Sequence, residues 1–174
     1  MSTRATKRTL NGFDVGELEA YVRSVDADRT QADRNPTVVA RWLGESRAAV
    51  SSTSGGPEVS MGGDDEPSAM NMLLRTLAAC DVEVIAMTAS LLGVEIESLS
   101  IEASGQFHVG RFLGLSSSDG PGYRSIAYTV RLVAPNARPE QVEALRQACL
   151  TRSPVGDTFE RRVPVTMRFE ASQR

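Results

Sequence analysis

The segment from Pro67 to Leu92 constrains this chain more than any other. About 26 residues long and patterned as a helix, it carries only three charges, Arg75, Asp81 and Glu83. Leu73, Leu77, Cys80, Val84, Met87 and Leu91 step by three or four and form one stripe, and Met70, Leu74, Ala78 and Ile85 widen it. Such a helix is ~39 Å long. A helix with so few charges is buried on most sides rather than laid on a surface. Pro67 suits the first helical turn. Asp64, Asp65 and Glu66 put negative charge at the positive end of the dipole, and Gly93 is the expected C-cap.

The segments around it are shorter. Asp14 followed by Glu17 marks a helix start, and Leu18, Tyr21, Val22 and Val25 give that helix one modest apolar face. The charged stretch Asp26–Pro36 ends in Asn-Pro, a loop signal. Residues 1–36 therefore read as a helical appendage, and 37–174 as the main domain. Thr37–Leu43, with the single tryptophan Trp42, and Arg47–Thr53 read as a hairpin, and residues 54–66 as loop. Neither Gly-Gly pair sits in a phosphate-binding pattern. Ser98–Ser104 and Ser125–Val133 alternate as strands, joined by a glycine- and serine-rich bend. Pro139–Thr151 reads as a helix stopped at Ser153-Pro154. Val163, Val165, Met167 and Phe169 read as a last strand, with Pro164 marking an edge or bulge. This order predicts an α+β fold with largely antiparallel sheet.

Composition removes several function classes. The net charge of −3 and 5% aromatic content argue against a nucleic-acid partner. The longest apolar stretch, Val84–Val94, is broken by Thr88, Ser90 and Gly93 and falls short of a membrane span. The basic N-terminal residues are followed by no apolar leader core, so a cytoplasmic protein with free thiols is expected. One histidine, His108, and no Cys-x-x-Cys leave little basis for a metal site, and no cofactor motif appears. His108 lies in a strand-like stretch and reads as a surface or edge residue.

Two cysteines remain as candidates for chemistry, Cys80 and Cys149. A free cysteine on an apolar helical stripe is most simply a small buried hydrophobe, and spacing alone favours that reading for both. Cys80 also lies too far into its helix for the terminal dipole to act on it. A functional Cys80 would need a cation or a donor from elsewhere in the fold, and Arg41 and Arg47 are the candidates.

The residues nonetheless carry a resemblance. Pro67-Ser68-Ala69-Met70-Asn71-Met72-Leu73-Leu74 with Leu77-Ala78-Ala79-Cys80 resembles the central-helix signature of the OsmC/Ohr family, the osmotically inducible and organic-hydroperoxide-resistance proteins. Arg41-Trp42-Leu43-Gly44 resembles the family's first strand and turn. Gly93-Val94-Glu95-Ile96 resembles the end of its long helix, Ser153-Pro154-Val155 its Cys-Pro-Val segment, and Val163-Pro164-Val165 its last strand. Gly110-Arg111-Phe112-Leu113-Gly114-Leu115 and Asn11-Gly12-Phe13-Asp14 resemble an OsmC-like branch.

The resemblance implies an OsmC-like fold and an intertwined homodimer with thiol sites at the interface. It implies reduction of an organic hydroperoxide or other small apolar substrate, without a cofactor. A thiolate attacks the O–O bond, a second cysteine closes a disulfide, and an external thiol reduces it. Cys80 matches the attacking cysteine. Ser153 occupies the resolving position and cannot form the disulfide. Cys149, one turn earlier and about 6 Å away along the axis, replaces it only if the helix end moves; otherwise an external thiol resolves. The family's activating arginine falls near Arg41 or Arg47. Its activating glutamate aligns with Met70, and Glu66 is the nearest carboxylate, four residues early. The alternative reading is a non-peroxidatic relative that binds a small apolar ligand at the dimer interface, or a redox sensor.

Overall fold

The computed structural model describes residues 8–116, 118 and 120–172. It opens with a miniature hairpin, β1 (Thr9–Leu10) and β2 (Phe13–Asp14), followed by α1 (Val15–Ala27). Asn11 and Gly12 form the two-residue turn, with φ of 48° and 86°. A type I′ turn needs positive φ at both central positions, which Asn-Gly supplies at least cost. Asp14 caps α1 by accepting from the Glu17 backbone N–H at 3.0 Å.

Three antiparallel strands follow, β3 (Val38–Gly44), β4 (Arg47–Ser52) and β5 (Val59–Met61). The expected first hairpin is present. The expected loop 54–66 is not all loop, because β5 lies within it and pairs with β4 from Ala48↔Met61 to Val50↔Val59. Three residues are too few for a legible alternation, so the pairing partner alone defines this strand. Gly62, at φ 96°, ends it; a Cβ there would sit 2.2 Å from the Ser46 carbonyl oxygen.

The long helix α2 spans Ala69–Leu91 and is capped by Ser68, whose hydroxyl accepts from the Asn71 N–H at 3.1 Å. Pro67 thus precedes the cap instead of entering the first turn. At the other end Gly93 adopts φ 69°, and the Val94 and Gly93 amides bond back to the Ala89 and Ser90 carbonyls. That is the glycine-terminated stop the sequence announces. Strands β6 (Ser98–Phe107) and β7 (Tyr123–Val133) then form an antiparallel hairpin, running from Ser98↔Val133 to Phe107↔Tyr123 with an irregularity after Gln106.

Helix α3 (Pro139–Arg152) packs on α2. Gln141 fixes its start twice, accepting from the Arg138 N–H at 3.0 Å and donating to the Leu92 carbonyl at 3.1 Å. A further helix, α4 (Pro154–Glu160), begins directly after Ser153. Ser153-Pro154 therefore stops one helix and starts another, since proline is compatible with the first turn of a helix but not its interior. The core joins Ile85 and Ala89 of α2 to Val94 and to Leu145 and Cys149 of α3, with Leu99 and Ile101 of β6 and Leu132 of β7 against it. The architecture is α+β with antiparallel sheets.

The expected last strand is not formed. Residues 161–172 have no regular structure, and Val165, Met167 and Phe169 are 91%, 81% and 81% exposed. Alternation marks a chain that can be a strand, but a strand also needs a hydrogen-bonding neighbour, and this segment has none within one chain. The first turns of α2 are open as well, with Leu73 42% exposed.

The N-terminal hairpin is tied to the end of α2. Asn11 donates to Ser90 Oγ at 3.2 Å and to the Val94 carbonyl at 2.8 Å, and accepts from the Ile96 N–H at 2.9 Å. Ser90 is buried, and its hydroxyl donates to the Leu10 carbonyl at 2.9 Å. Asn11→Ala removes the three side-chain bonds of Asn11 and its left-handed preference together. It is expected to cost about 1–3 kcal/mol, read as a lower urea midpoint; a change within error of zero would show that the clip contributes nothing.

Candidate functional site

Positions 80 and 81 are neighbours on α2, but one residue turns the helix by 100°, so their side chains face different surroundings. Cys80 is half-buried and points toward the α3–α4 junction. Ser153 sits there, buried, as the last cap of α3 and the first of α4. Its hydroxyl oxygen accepts from the Gly156 N–H at 3.0 Å, which turns its proton toward Cys80 Sγ, 3.6 Å away. Among the described residues Ser153 is the hydrogen-bond partner of that sulfur. Both cysteines are free thiols.

Asp81 is completely buried, and neither carboxylate oxygen has a hydrogen-bond partner. The carboxylate faces the Cys149 thiol of α3 and the Tyr128 hydroxyl of β7 closely enough for its charge to act on both. Tyr128 Oη and Cys149 Sγ are 4.0 Å apart. Burial, with Asp81 and Cys149 beside it, pushes the Tyr128 hydroxyl well above its usual range, so it is a neutral phenol at physiological pH. Burial first, and the Asp81 charge second, push the Cys149 thiol up to about 11. Cys80 also contributes to that rise, which places the two thiols in one electrostatic neighbourhood.

Asp81 is not among the residues that the sequence motifs point to, although its position carries a signal. Leu77, Asp81, Val84 and Thr88 lie on one helical face and all are buried. A carboxylate on an apolar face is unusual enough to mark a site. Cys149 occupies the core position expected of it, and His108 is exposed, accepting from the Gly110 N–H at 3.2 Å.

The candidate activating residues lie apart from these groups. Arg47 at the start of β4 forms a two-point pair with Glu66, just before α2, and Glu66 also accepts from the Gly63 N–H at 3.0 Å. The guanidinium and that N–H hold the Glu66 carboxyl below its usual range. Arg41 on β3 is engaged with Glu58 at 2.9 Å, on an exposed surface. Met70, in the first turn of α2, receives a hydrogen bond on its carbonyl from Tyr123 Oη at 2.7 Å. No hydrogen bond or ion pair among the described residues joins Arg41, Arg47 or Glu66 to Cys80.

A cavity of about 590 Å³ opens between β7 and α3, with Ile126, Tyr128, Val130, Leu145 and Cys149 among its walls. Among the described residues no cluster of histidine, cysteine and carboxylate side chains is suited to a metal ion, and no helix is long and apolar enough to cross a membrane.

The two thiols should differ in reactivity. In the folded protein at pH 8, iodoacetamide is expected to label Cys80 and spare Cys149, which is 5% exposed and almost wholly protonated. Both should label in urea. Because the fold raises the Cys149 pKa from 9.0 to about 11, it favours the neutral thiol. That stabilisation is complete below pH 9 and is lost as pH rises through 11. Cys149→Ala should flatten the alkaline limb of the stability profile. Equal labelling of the two cysteines in the native state would contradict this account.

Solved structures share the architecture. An OsmC-like protein from Mycoplasma pneumoniae superposes with a TM-score of 0.61 at 18% identity, covering 74% of this chain and 89% of that one. An organic hydroperoxide resistance protein from Elizabethkingia anophelis gives 0.52 at 12% identity, covering 72% and 87%. The organic hydroperoxide resistance protein OsmC from Legionella pneumophila gives 0.51 at 14% identity, covering 72% and 89%. At these identities the likeness is one of fold. No curated protein matches the sequence. The family model described as OsmC-like protein matches residues 62–168, from the end of β5 to the C-terminal segment, and this chain belongs to that family.

Proposed function

We propose that this protein is a thiol-dependent reductase of organic hydroperoxides that acts as a homodimer in the cytoplasm, with Cys80 as the attacking residue. The observation that carries the reading is the 3.6 Å approach of Ser153 Oγ to Cys80 Sγ. The position that the family resemblance gives to a resolving thiol thus lies against the candidate nucleophile, although 73 residues separate the two in sequence. The Cys80 thiolate attacks one peroxide oxygen, the O–O bond breaks, and the leaving alkoxide takes a proton to become an alcohol. Cys80 is left as a sulfenic acid. A second thiol must then reduce it, because the serine hydroxyl cannot.

The dimer supplies what one chain leaves open. Val163, Val165, Met167 and Phe169 keep the alternation of a strand without a neighbour, and the first turns of α2 expose part of an apolar stripe. Both suit pairing with a second copy. The Arg47–Glu66 pair is then the activating group, presented across the interface to the Cys80 of the other protomer. A cation within ~4–6 Å of a thiol favours its ionised form.

The cavity beside Cys149 favours one second reading, a carrier of a small apolar ligand. Its walls are apolar side chains with the Tyr128 hydroxyl and a thiol among them, and Cys80 does not line it.

Peroxide consumption separates the two readings. Wild-type protein should consume cumene hydroperoxide, and Cys80→Ser should abolish it, since a neutral hydroxyl is a far weaker nucleophile than a thiolate. Ser153→Cys should form a disulfide with Cys80, because its sulfur would start from the present hydroxyl position. Cys80 that stays unmodified at millimolar peroxide would favour the carrier. Sedimentation should give twice 18.7 kDa; a stable folded monomer at micromolar concentration would end the shared-interface account.

A further inference from the structure

The peroxide reading gives no role to Asp81, which is completely buried on α2. A polar group buried without well-formed hydrogen bonds costs stability. Most buried polar groups are hydrogen-bonded, so an orphan calls for an explanation. Here neither oxygen makes a hydrogen bond of good geometry, and the groups beside them are the Cys149 thiol and the Tyr128 hydroxyl, both of which interact with the carboxyl. Cys149 is itself nearly enclosed, one helical turn before the serine that touches Cys80. Ser153 thus lies against the sulfur to be resolved, Cys149 lies one helical turn from Ser153, and the Asp81 carboxyl lies beside Cys149.

We infer that Cys149 is the thiol that resolves oxidised Cys80 and that Asp81 is the base that takes its proton. The inference rests on the peroxide reading for its oxidant. In the step, the Cys149 sulfur attacks the Cys80 sulfenic sulfur while its S–H proton passes to an Asp81 oxygen. The S–S bond forms, the Cys80 S–O bond breaks, and the leaving hydroxide collects the proton from Asp81 to depart as water. Cys149 is oxidised from thiol to disulfide, and the Cys80 sulfenic sulfur is reduced to the same level. An external dithiol then returns both with two electrons and two protons. Tyr128, a neutral phenol 4.0 Å from the Cys149 sulfur, packs against the attacking thiol and fixes its place.

The base is needed because Cys149 holds its proton until about pH 11. Unaided, only a small fraction would be nucleophilic at neutral pH. The titratable groups that face Cys149 are Asp81 and Cys80 from α2 and Tyr128 from β7, with Arg146 and Glu160 bordering the adjoining cavity. Arg146 is committed to Glu143 at 2.7 Å, so among these groups Asp81 is the carboxylate that acts on Cys149.

The test separates resolution from peroxide chemistry by loading Cys80 with thionitrobenzoate from dithionitrobenzoic acid. Closure of the Cys80–Cys149 disulfide then expels a second, coloured thionitrobenzoate, and peptide mass mapping locates the bond. Wild-type protein should show this first-order second release, and Cys149→Ser should lose it. Asp81→Asn should slow it by about 100-fold, the usual contribution of a general base. The sign is decisive. If Asp81 acted only through its charge, removing it would lower the Cys149 pKa and speed closure, so an unchanged or faster release overturns the assignment. The wild-type pH profile distinguishes the same two cases without a variant. Closure that climbs tenfold per pH unit between about pH 6 and 9 follows the free thiolate and overturns the base; a shallower rise supports it. Normal closure in a protein whose Cys80 ignores cumene hydroperoxide supports the Asp81 assignment and removes the peroxide reading. A Cys80 that accepts neither reagent overturns both.

Discussion

The fold depends on the packing of one helix. Leu77, Val84, Ile85 and Ala89 of α2 are buried, and Ile85 and Ala89 pack against α3 and the β6–β7 hairpin. Each large apolar side chain so enclosed contributes about 1.5–3 kcal/mol. The other elements are placed with respect to that contact. Gln141 fastens the start of α3 to the end of α2, Tyr123 fastens the start of β7 to its first turn, and Asn11 fastens the N-terminal hairpin to its last turn. The Gln141 tie meets an orphan carbonyl at the C-terminal end of α2, and the Tyr123 tie adds a second bond to a first-turn carbonyl.

The same packing determines the chemistry. Because α3 is held along α2, its C-terminal cap falls beside Cys80, and the residue one turn earlier falls beside Asp81. A single serine terminates α3, starts α4 and directs a donor at sulfur. Its cap role fixes the rotamer, since the Gly156 amide takes the oxygen and leaves the proton one direction to point. The neighbouring carboxylate opposes the fold energetically. A buried carboxyl without well-formed hydrogen bonds takes away part of the stability that the apolar stripe provides.

The chain also leaves apolar surface exposed. The C-terminal alternation has no sheet to join, the first turns of α2 are open, and the Arg47–Glu66 pair stands apart from both thiols. The Arg47–Glu66 pair is nevertheless a built arrangement. The carboxylate is held by a guanidinium and a backbone amide, and Gly62 lets β5 pass against the Ser46 carbonyl.

The sequence by itself determined whatever is written in local periodicity and local caps. The span and stop of α2, the first hairpin, the pairing-competent strands of the second, α3 and the α+β class all follow from neighbours within a few residues of one another. Motif resemblance added the family, and with it Cys80. Tertiary structure decided the rest. β5 exists only because β4 lies beside it, and the last alternating segment is no strand because nothing does. Ser153-Pro154 reads as a helix stop, and the short α4 that follows it lies against α2 and α3. Asp81 showed only as a charge on an apolar face; that it is enclosed without partners, facing Cys149 and Tyr128, is a property of three elements brought together. Contacts between residues so distant in sequence leave no periodicity to read, since each is fixed by the closure of the whole chain and not by the spacing of its neighbours.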